Sequence, residues 1–291
     1  MPDRLADADD APEFTYSHPG MSRFRRALIR TVETASGQPM LRGLYRDWSS
    51  APRTEEDVFQ SALRLLRITP RHHWQAPAAR VPETGGLLLV ANHPYGIVDG
   101  LALGHLGMRL RGNVQILTHS LLCQPAEIAP HLLPIDFTGT PQARRTSAQS
   151  RRHAIDLLEA GKVVAIFPAG GISTANRPLR GTAHDAKWHG FLARLATIPG
   201  VTTLPVCFEG QNSRLFQIAS HISYPLRVAL IFHETRRLIG RKLDIHIGPP
   251  IPADTLSLLP KDTIVPTLRK HTMNLRQAAD DVFKWPKHIT W

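Results

Sequence analysis

His93 and Asp99, with five residues between them, are the pair in this sequence best suited to proton transfer. A neutral imidazole near its ordinary pKa takes a proton from an alcohol at physiological pH. A carboxylate on the other ring nitrogen fixes the tautomer and stabilises the imidazolium that forms. The same two residues would serve equally as a loop histidine and a helix-capping aspartate, so the pair needs support from the rest of the chain. They sit in the stretch 87–100, LLLVANHPYGIVDG. Its apolar run 87–90 suits a buried strand, 92–96 is polar and turn-rich, and Asp99 is expected at the N-cap of a helix through LALGHLGMRL. A corner between strand and helix exposes backbone at the carboxyl edge of a sheet, where α/β proteins place their chemistry.

A second corner repeats the design. KVVAIF at 162–167 is the strongest strand pattern in the chain, and it runs into Pro168-Ala169-Gly170-Gly171-Ile172-Ser173-Thr174. Glycines there let a substrate approach the backbone, and free N–H groups at a following helix start would hold an oxyanion or phosphate. Any tight turn uses the same residues. Ser173 lacks the Gly-x-Ser-x-Gly setting of an elbow nucleophile. His72-His73 and His184/His189 have no carboxylate at a ligand spacing, HETRR lacks the second histidine of a zinc helix, and there is no Gly-x-Gly-x-x-Gly or P-loop. No metal and no cofactor is expected. Cys123 and Cys207 lie in apolar surroundings and read as reduced core residues.

These corners need a framework. Residues 1–20 read as an acidic, flexible arm. The region 21–68 is expected to be helical. Its first helix puts Phe24, Leu28, Ile29 and Val32 on one side and carries Arg23, Arg25, Arg26 and Arg30. Such a helix suits a lipid headgroup layer, or it packs its apolar side on the domain. Helical patterns follow at 40–48 and 55–66. The segment 69–83, rich in Pro, His and Arg, reads as an irregular lead-in. Strands are expected at 114–118, 133–137, 201–208 and 244–247, and helices at 144–160 (ended by Gly161), 188–196 and 263–283. The stretch 225–240 is mixed. Strands alternating with helices make this a single α/β domain with a mostly parallel or mixed β-sheet flanked by helices. The core spans 69–255, with a C-terminal helix and tail over 256–291.

The chain has 35 Lys+Arg against 24 Asp+Glu, a formal net charge of +11 over 291 residues. That excess implies an anionic partner: nucleic acid, an anionic membrane surface, or an acidic protein or co-substrate. No nucleic-acid module is recognisable, and base-stacking aromatics interleaved with basic residues are absent, so no nucleic acid is expected. The acidic beginning has no apolar signal region, and no run approaches the roughly 18 apolar residues that span a bilayer. The expectation is a cytoplasmic protein, peripheral on the inner face of the cell membrane.

NHPYGIVDG, FPAGGIS and LPVCFEGQNSRLFQ, in this order and spacing, resemble the glycerophospholipid/lysophospholipid acyltransferase family. The likeness is greatest to its haemolysin-like branch, which includes lyso-ornithine lipid O-acyltransferases, and runs from about Phe14 to about Pro252. It implies a glycerol-phosphate-acyltransferase-like fold with His93 as general base on the acceptor hydroxyl and Asp99 as its partner. The hydroxyl then attacks acyl-CoA or acyl carrier protein thioester directly. The motifs place Asn92, Gly96, Phe167, Pro168, Gly170, Gly171, Ser173 and Pro205 at the substrate. Where the family's third motif reads Phe-Pro-Glu-Gly-Thr-Arg-Ser, this chain has Ala169, Gly171 and Ile172, and Ile135-Asp136-Phe137 stands where the second motif ends in arginine. An Arg–phosphate contact is worth about 1.5–3 kcal/mol. Its loss argues for lyso-ornithine lipid or a similar amino-acid lipid as the lyso-lipid acceptor, ahead of 1-acylglycerol-3-phosphate. Arg144, Arg145 or Arg177 could substitute as an anion site, so that acceptor is disfavoured without being excluded. A basic membrane- or nucleic-acid-binding protein that has lost catalysis is the competing reading, opposed by the intact His93/Asp99 pair.

Overall fold

The computed structural model describes residues 15, 22–52, 55–123, 125–136, 139–276, 281–286 and 288–289. Three helices come first: α1 (Arg23–Ala35), α2 (Gln38–Ser49) and α3 (Val58–Leu65). Then follow β1 (Thr69–Trp74), β2 (Leu87–Ala91), α4 (Ile97–Arg111), β3 (Gln115–His119), β4 (Leu132–Ile135), α5 (Pro141–Glu159) and β5 (Val163–Ile166). A small hairpin, β6 (Thr174–Ala175) and β7 (Ala183–His184), leads to α6 (Phe191–Ala196) and β8 (Thr202–Phe208). Three short helices, α7 (Arg214–Ile222), α8 (Tyr224–Ala229) and α9 (Ile231–Arg237), precede β9 (Lys242–Ile247). β10 (Ile251–Pro252), α10 (Ala253–Ser257) and α11 (Ile264–Asn274) complete the order.

The main sheet runs β1-β9-β8-β2-β5-β3-β4, with β10 against β8. From β8 to β4 all neighbours are parallel; β9 is antiparallel to β8 and parallel to β1. The expected mixed, mostly parallel α/β sheet is what the chain forms. β2 lies between β5 and β8, and all five of its residues are buried. Alternation sends Leu87, Leu89 and Ala91 to one face, where Phe59 of α3 and Leu103 and Leu106 of α4 cover them. Leu88 and Val90 point to the other face, toward Ile155 and Leu158 of α5, Leu192 of α6 and Leu268 of α11. Burial on both faces is why this strand reads as an unbroken apolar run.

Several expectations are corrected. The 69–83 lead-in contains β1, paired with β9 at the sheet's edge. An edge strand tolerates Pro70 and the surrounding charge, which is why its pattern does not read as a strand. The mixed stretch 225–240 resolves into α8 and α9, and α6 starts at Phe191, because Trp188 is held outside the helix by a side-chain bond to Asp185. The 263–283 helix covers only Ile264–Asn274, and 281–286 has no regular secondary structure. No helix follows the second corner; the chain enters the β6–β7 hairpin instead.

In α1, Ile29 is buried and Val32 packs beside Val228 and Leu230, whereas Phe24 is 79% exposed. The helix thus packs its C-terminal half on the domain and leaves Phe24 in solvent. The side chains of Arg25 and Leu28, and segment 1–20 apart from Thr15, lie outside the described residues. No described helix is long and apolar enough to cross a membrane.

α4 fits against α3 because of a glycine. A Cβ on Gly104 would lie 2.4 Å from the Phe59 ring, and both are central to the core under β2. Gly104→Val is expected to lower stability by about 1–3 kcal/mol, read as a lower midpoint in urea denaturation.

Candidate active site

The site grows from the end of β2. Asn92 locks that end to β8: its Nδ2 donates to the Phe208 carbonyl (3.0 Å), and its Oδ1 accepts from the Phe208 N–H (2.7 Å). The chain then turns through His93, and Gly96 caps the start of α4 with φ +87°, a conformation that favours glycine. A Cβ at Gly96 would also meet Ile172 at 2.7 Å, so the second corner closes directly on the first.

Asp99 is not the N-cap. Because Ile97 and Val98 join the helix and Val98 is buried in the core, the cap is Gly96, three residues before the expected one. Asp99 therefore occupies the third helical position and reaches back, as the acid of a capping box does. Its Oδ2 accepts from the Tyr95 N–H (2.7 Å) and the Gly96 N–H (2.9 Å), and lies 3.1 Å from Nδ1 of His93. The imidazole contact is at ion-pair distance but falls short of a straight hydrogen bond; such contacts commonly tighten only with substrate bound. Asp99 has no exposed surface, and its Oδ1 has no partner among the described residues. Burial pushes its carboxyl pKa up, against the downward pull of His93 and the two amides.

His93 is held on three further sides. Its ring stacks on Phe167 (centroids 4.0 Å apart, planes 26° apart). Its carbonyl accepts from the Ser173 N–H (2.7 Å), and its N–H donates to Asp185 Oδ1 (3.2 Å). Asp185, buried at the end of the hairpin, also accepts from the Ser173 hydroxyl and from Nε1 of Trp188 (2.9 Å). Asp185 thus joins both corners to the segment before α6.

Two cavities meet at this histidine. One, about 340 Å³, is lined by Gly170, Gly171, Ile172, Arg151, His189 and Arg227 among others. The second, about 220 Å³, is almost wholly apolar and lies under the N-terminal helices, walled by Leu41, Leu44, Trp48, Phe59 and Leu101. Both have His93, Gly96, Ile97, Thr118 and Phe167 in their walls. Gly171 lines the larger cavity, and its N–H has no acceptor among the described residues.

The model of a family described simply as acyltransferase matches residues 6–276. This chain belongs to that acyltransferase family. Lyso-glycine lipid O-acyltransferase of Phocaeicola vulgatus is 31% identical over 186 residues, which cover 60% of this chain and 62% of the relative. The protein of the same name from Bacteroides thetaiotaomicron is 27% identical over 186 residues, covering 60% and 64%. The match thus spans under two thirds of either relative's length. Among solved structures, the 1-acyl-sn-glycerophosphate (LPA) acyltransferase PlsC from Thermotoga maritima aligns over 90% of this chain and all of its own, at 14% identity and a TM-score of 0.42.

Within this chain, the sequence-selected residues divide. His93, Gly96, Phe167, Pro168, Gly170 and Gly171 stand in the cavity wall. Asn92 and Ser173 do not: both are buried, with their side chains spent on Phe208 and Asp185. Pro205 is buried mid-strand in β8, where its carbonyl accepts from Gly248. The structure thus places these three behind the cavity wall, joining strands and corners. The anion-site candidates Arg144, Arg145 and Arg177 are exposed and outside both cavity walls, and the arginines in the wall of the larger cavity are Arg151 and Arg227. Ile172, at the position expected to carry arginine, accepts from Arg227 through its carbonyl. Phe137 lies outside the described residues. Asp185, Thr118, His119 and Arg227 went unnoticed in the sequence; of these, only Thr118 and His119, at the carboxyl end of a predicted strand, had a signal there.

The raised Asp99 pKa sets a sign. A carboxyl raised above its unfolded value favours the fold while protonated, and that contribution is lost as pH rises from the ordinary carboxylate range through the folded value. Asp99→Asn can still accept from both amides and carries no buried charge. Its melting temperature is therefore expected to gain on the unsubstituted protein as pH rises from acid to neutral, in thermal unfolding across that range.

Proposed function

We propose that this protein is an O-acyltransferase that moves a fatty acyl group from acyl-CoA or acyl carrier protein to the free hydroxyl of a lyso-lipid with an amino-acid headgroup. One observation carries the reading: an imidazole backed by a buried carboxylate stands in the shared wall of an apolar slot and a larger cavity whose mainly apolar wall also carries Arg151, Arg227, His119 and His189. With Nδ1 turned to Asp99, Nε2 on the opposite ring edge is left for the acceptor hydroxyl. His93 takes the hydroxyl proton as the oxygen attacks the thioester carbon. The carbonyl oxygen gains negative charge, which the Gly171 N–H is suited to stabilise. Collapse breaks the carbon–sulfur bond, and the thiolate leaves with the proton from His93. An ester and a free thiol result, with no acyl-enzyme.

The apolar slot suits an acyl chain, since its walls offer almost no polar partner. The headgroup reading draws on the two relatives named for lyso-glycine lipid and on Ile172 and Phe137 in place of arginines in the sequence, and it extends to lyso-ornithine lipid. A net charge of +11, with exposed Phe24 beside exposed Arg23, suits an anionic membrane surface and an acidic or phosphate-bearing donor. The test is acyl transfer by the purified chain from labelled acyl-CoA and acyl carrier protein to lyso-glycine lipid, lyso-ornithine lipid and 1-acylglycerol-3-phosphate. His93→Ala is expected to lower turnover by about 10²–10⁴-fold while the protein stays folded. Unchanged turnover in His93→Ala would remove the general-base role, and preference for the phosphate acceptor would remove the headgroup assignment.

A further inference from the structure

Arg227 is the least expected residue of the larger cavity. It lies on α8, is only 2% exposed, and lines the same wall as His93. Its two described hydrogen bonds go to neutral oxygens, the Thr174 hydroxyl (2.6 Å) and the Ile172 carbonyl. No carboxylate among the described residues comes within ion-pair distance of it. Phe216 and Trp285 each lie 4.9 Å from the guanidinium carbon, so the plane is fixed between aromatic contacts. Burial lowers its pKa to about 10, which leaves it cationic at neutral pH.

A buried cation without a counter-ion is costly, and neutral oxygens compensate it only in part. A guanidinium has five N–H donors in a planar fork, more than its two described bonds use, and that fork matches a carboxylate. It is also tied to the reacting centre. Ile172 accepts from Arg227, and the next residue, Ser173, donates its N–H to the His93 carbonyl (2.7 Å). An anion held by Arg227 therefore has a fixed relation to the imidazole.

We propose that Arg227 is the acceptor-specificity residue, whose guanidinium receives the single carboxylate of an N-acylated amino acid while that acceptor's hydroxyl meets His93. The proposal rests on the acyl-transfer reading and deepens it by naming the group that selects the acceptor. Arg151 in the same wall is exposed and its charge is screened by water, so the one buried guanidinium is matched by a monoanion, which favours a carboxylate over a doubly charged phosphate monoester.

The experiment compares an N-(3-hydroxyacyl)glycine with its methyl ester, which keeps the hydroxyl and the chain but loses the charge. 1-Acylglycerol-3-phosphate is the third acceptor. The unsubstituted protein is expected to favour the acid over the ester in kcat/KM by about 10- to 100-fold. Arg227→Gln should collapse that ratio to near one, and Arg227→Lys should keep part of it. The Lys variant also carries the test if the Gln variant does not fold. Calorimetric binding of the acid and the ester without donor gives the same comparison independent of turnover. No transfer to any acceptor, with the acid still bound through Arg227, would overturn the acyl-transfer reading alone. Equal treatment of acid and ester by the unsubstituted protein would overturn this proposal. So would an equal loss on both in Arg227→Gln, or an Arg227-dependent preference for the phosphate acceptor.

Discussion

The site depends on a carboxylate that has been taken out of water. Asp99 has no exposed surface, and one of its oxygens faces two backbone N–H groups and an imidazole at once. The amides come from Tyr95 and Gly96, the residues that turn β2 into α4. The same oxygen therefore holds the turn closed and turns Nδ1 of His93 inward. Taking a carboxylate out of water opposes folding, and the rest of the structure must offset that cost. The offset comes from β2, buried on both faces, and from α4, seated on Phe59 through Gly104.

A second carboxylate does for the backbone what Asp99 does for the ring. Asp185 gathers the His93 N–H, the Ser173 hydroxyl and the Trp188 indole, and its own carbonyl accepts from Phe283 (2.9 Å). Through it the two corners, the hairpin and the C-terminal segment become one rigid unit. Two residues on, Trp285 lies over Arg227, so the segment 281–286 backs a residue of the larger cavity's wall from behind. The N-terminal helices play the matching part on the other side, where Leu41, Leu44 and Trp48 wall the apolar slot. The N-terminal helices thus wall one cavity and the segment 281–286 backs Arg227 of the other, around a histidine fixed by the middle of the chain.

Local pattern made the centre of this arrangement readable. β2 and β5 are short apolar runs that stop at turn residues, and His93, Asp99 and Gly170 follow from where those runs stop. What stayed hidden depends on contacts distant in sequence. β1 is a strand only because β9 pairs with it, and Pro70 and its charged neighbours disguise it. Asp185 and Arg227 look like ordinary surface residues in sequence, and only the fold brings them to Ser173 and Ile172. Asn92 and Ser173 show the converse: motif position brought them to attention, but their side chains are consumed in joining strands and corners. Arg144, Arg145 and Arg177 were plausible by charge alone, and helix facing and loop position carry them away from the cavities.

The most direct test of the account is the tautomer of His93. Ring-¹⁵N-labelled histidine, with the His93 signals assigned by their loss in His93→Gln, reports which nitrogen carries the proton in the neutral ring. The account predicts the proton on Nδ1, facing Asp99, with Nε2 bare toward the cavities. A proton on Nε2 in the neutral ring would leave no base for the acceptor hydroxyl and would contradict it.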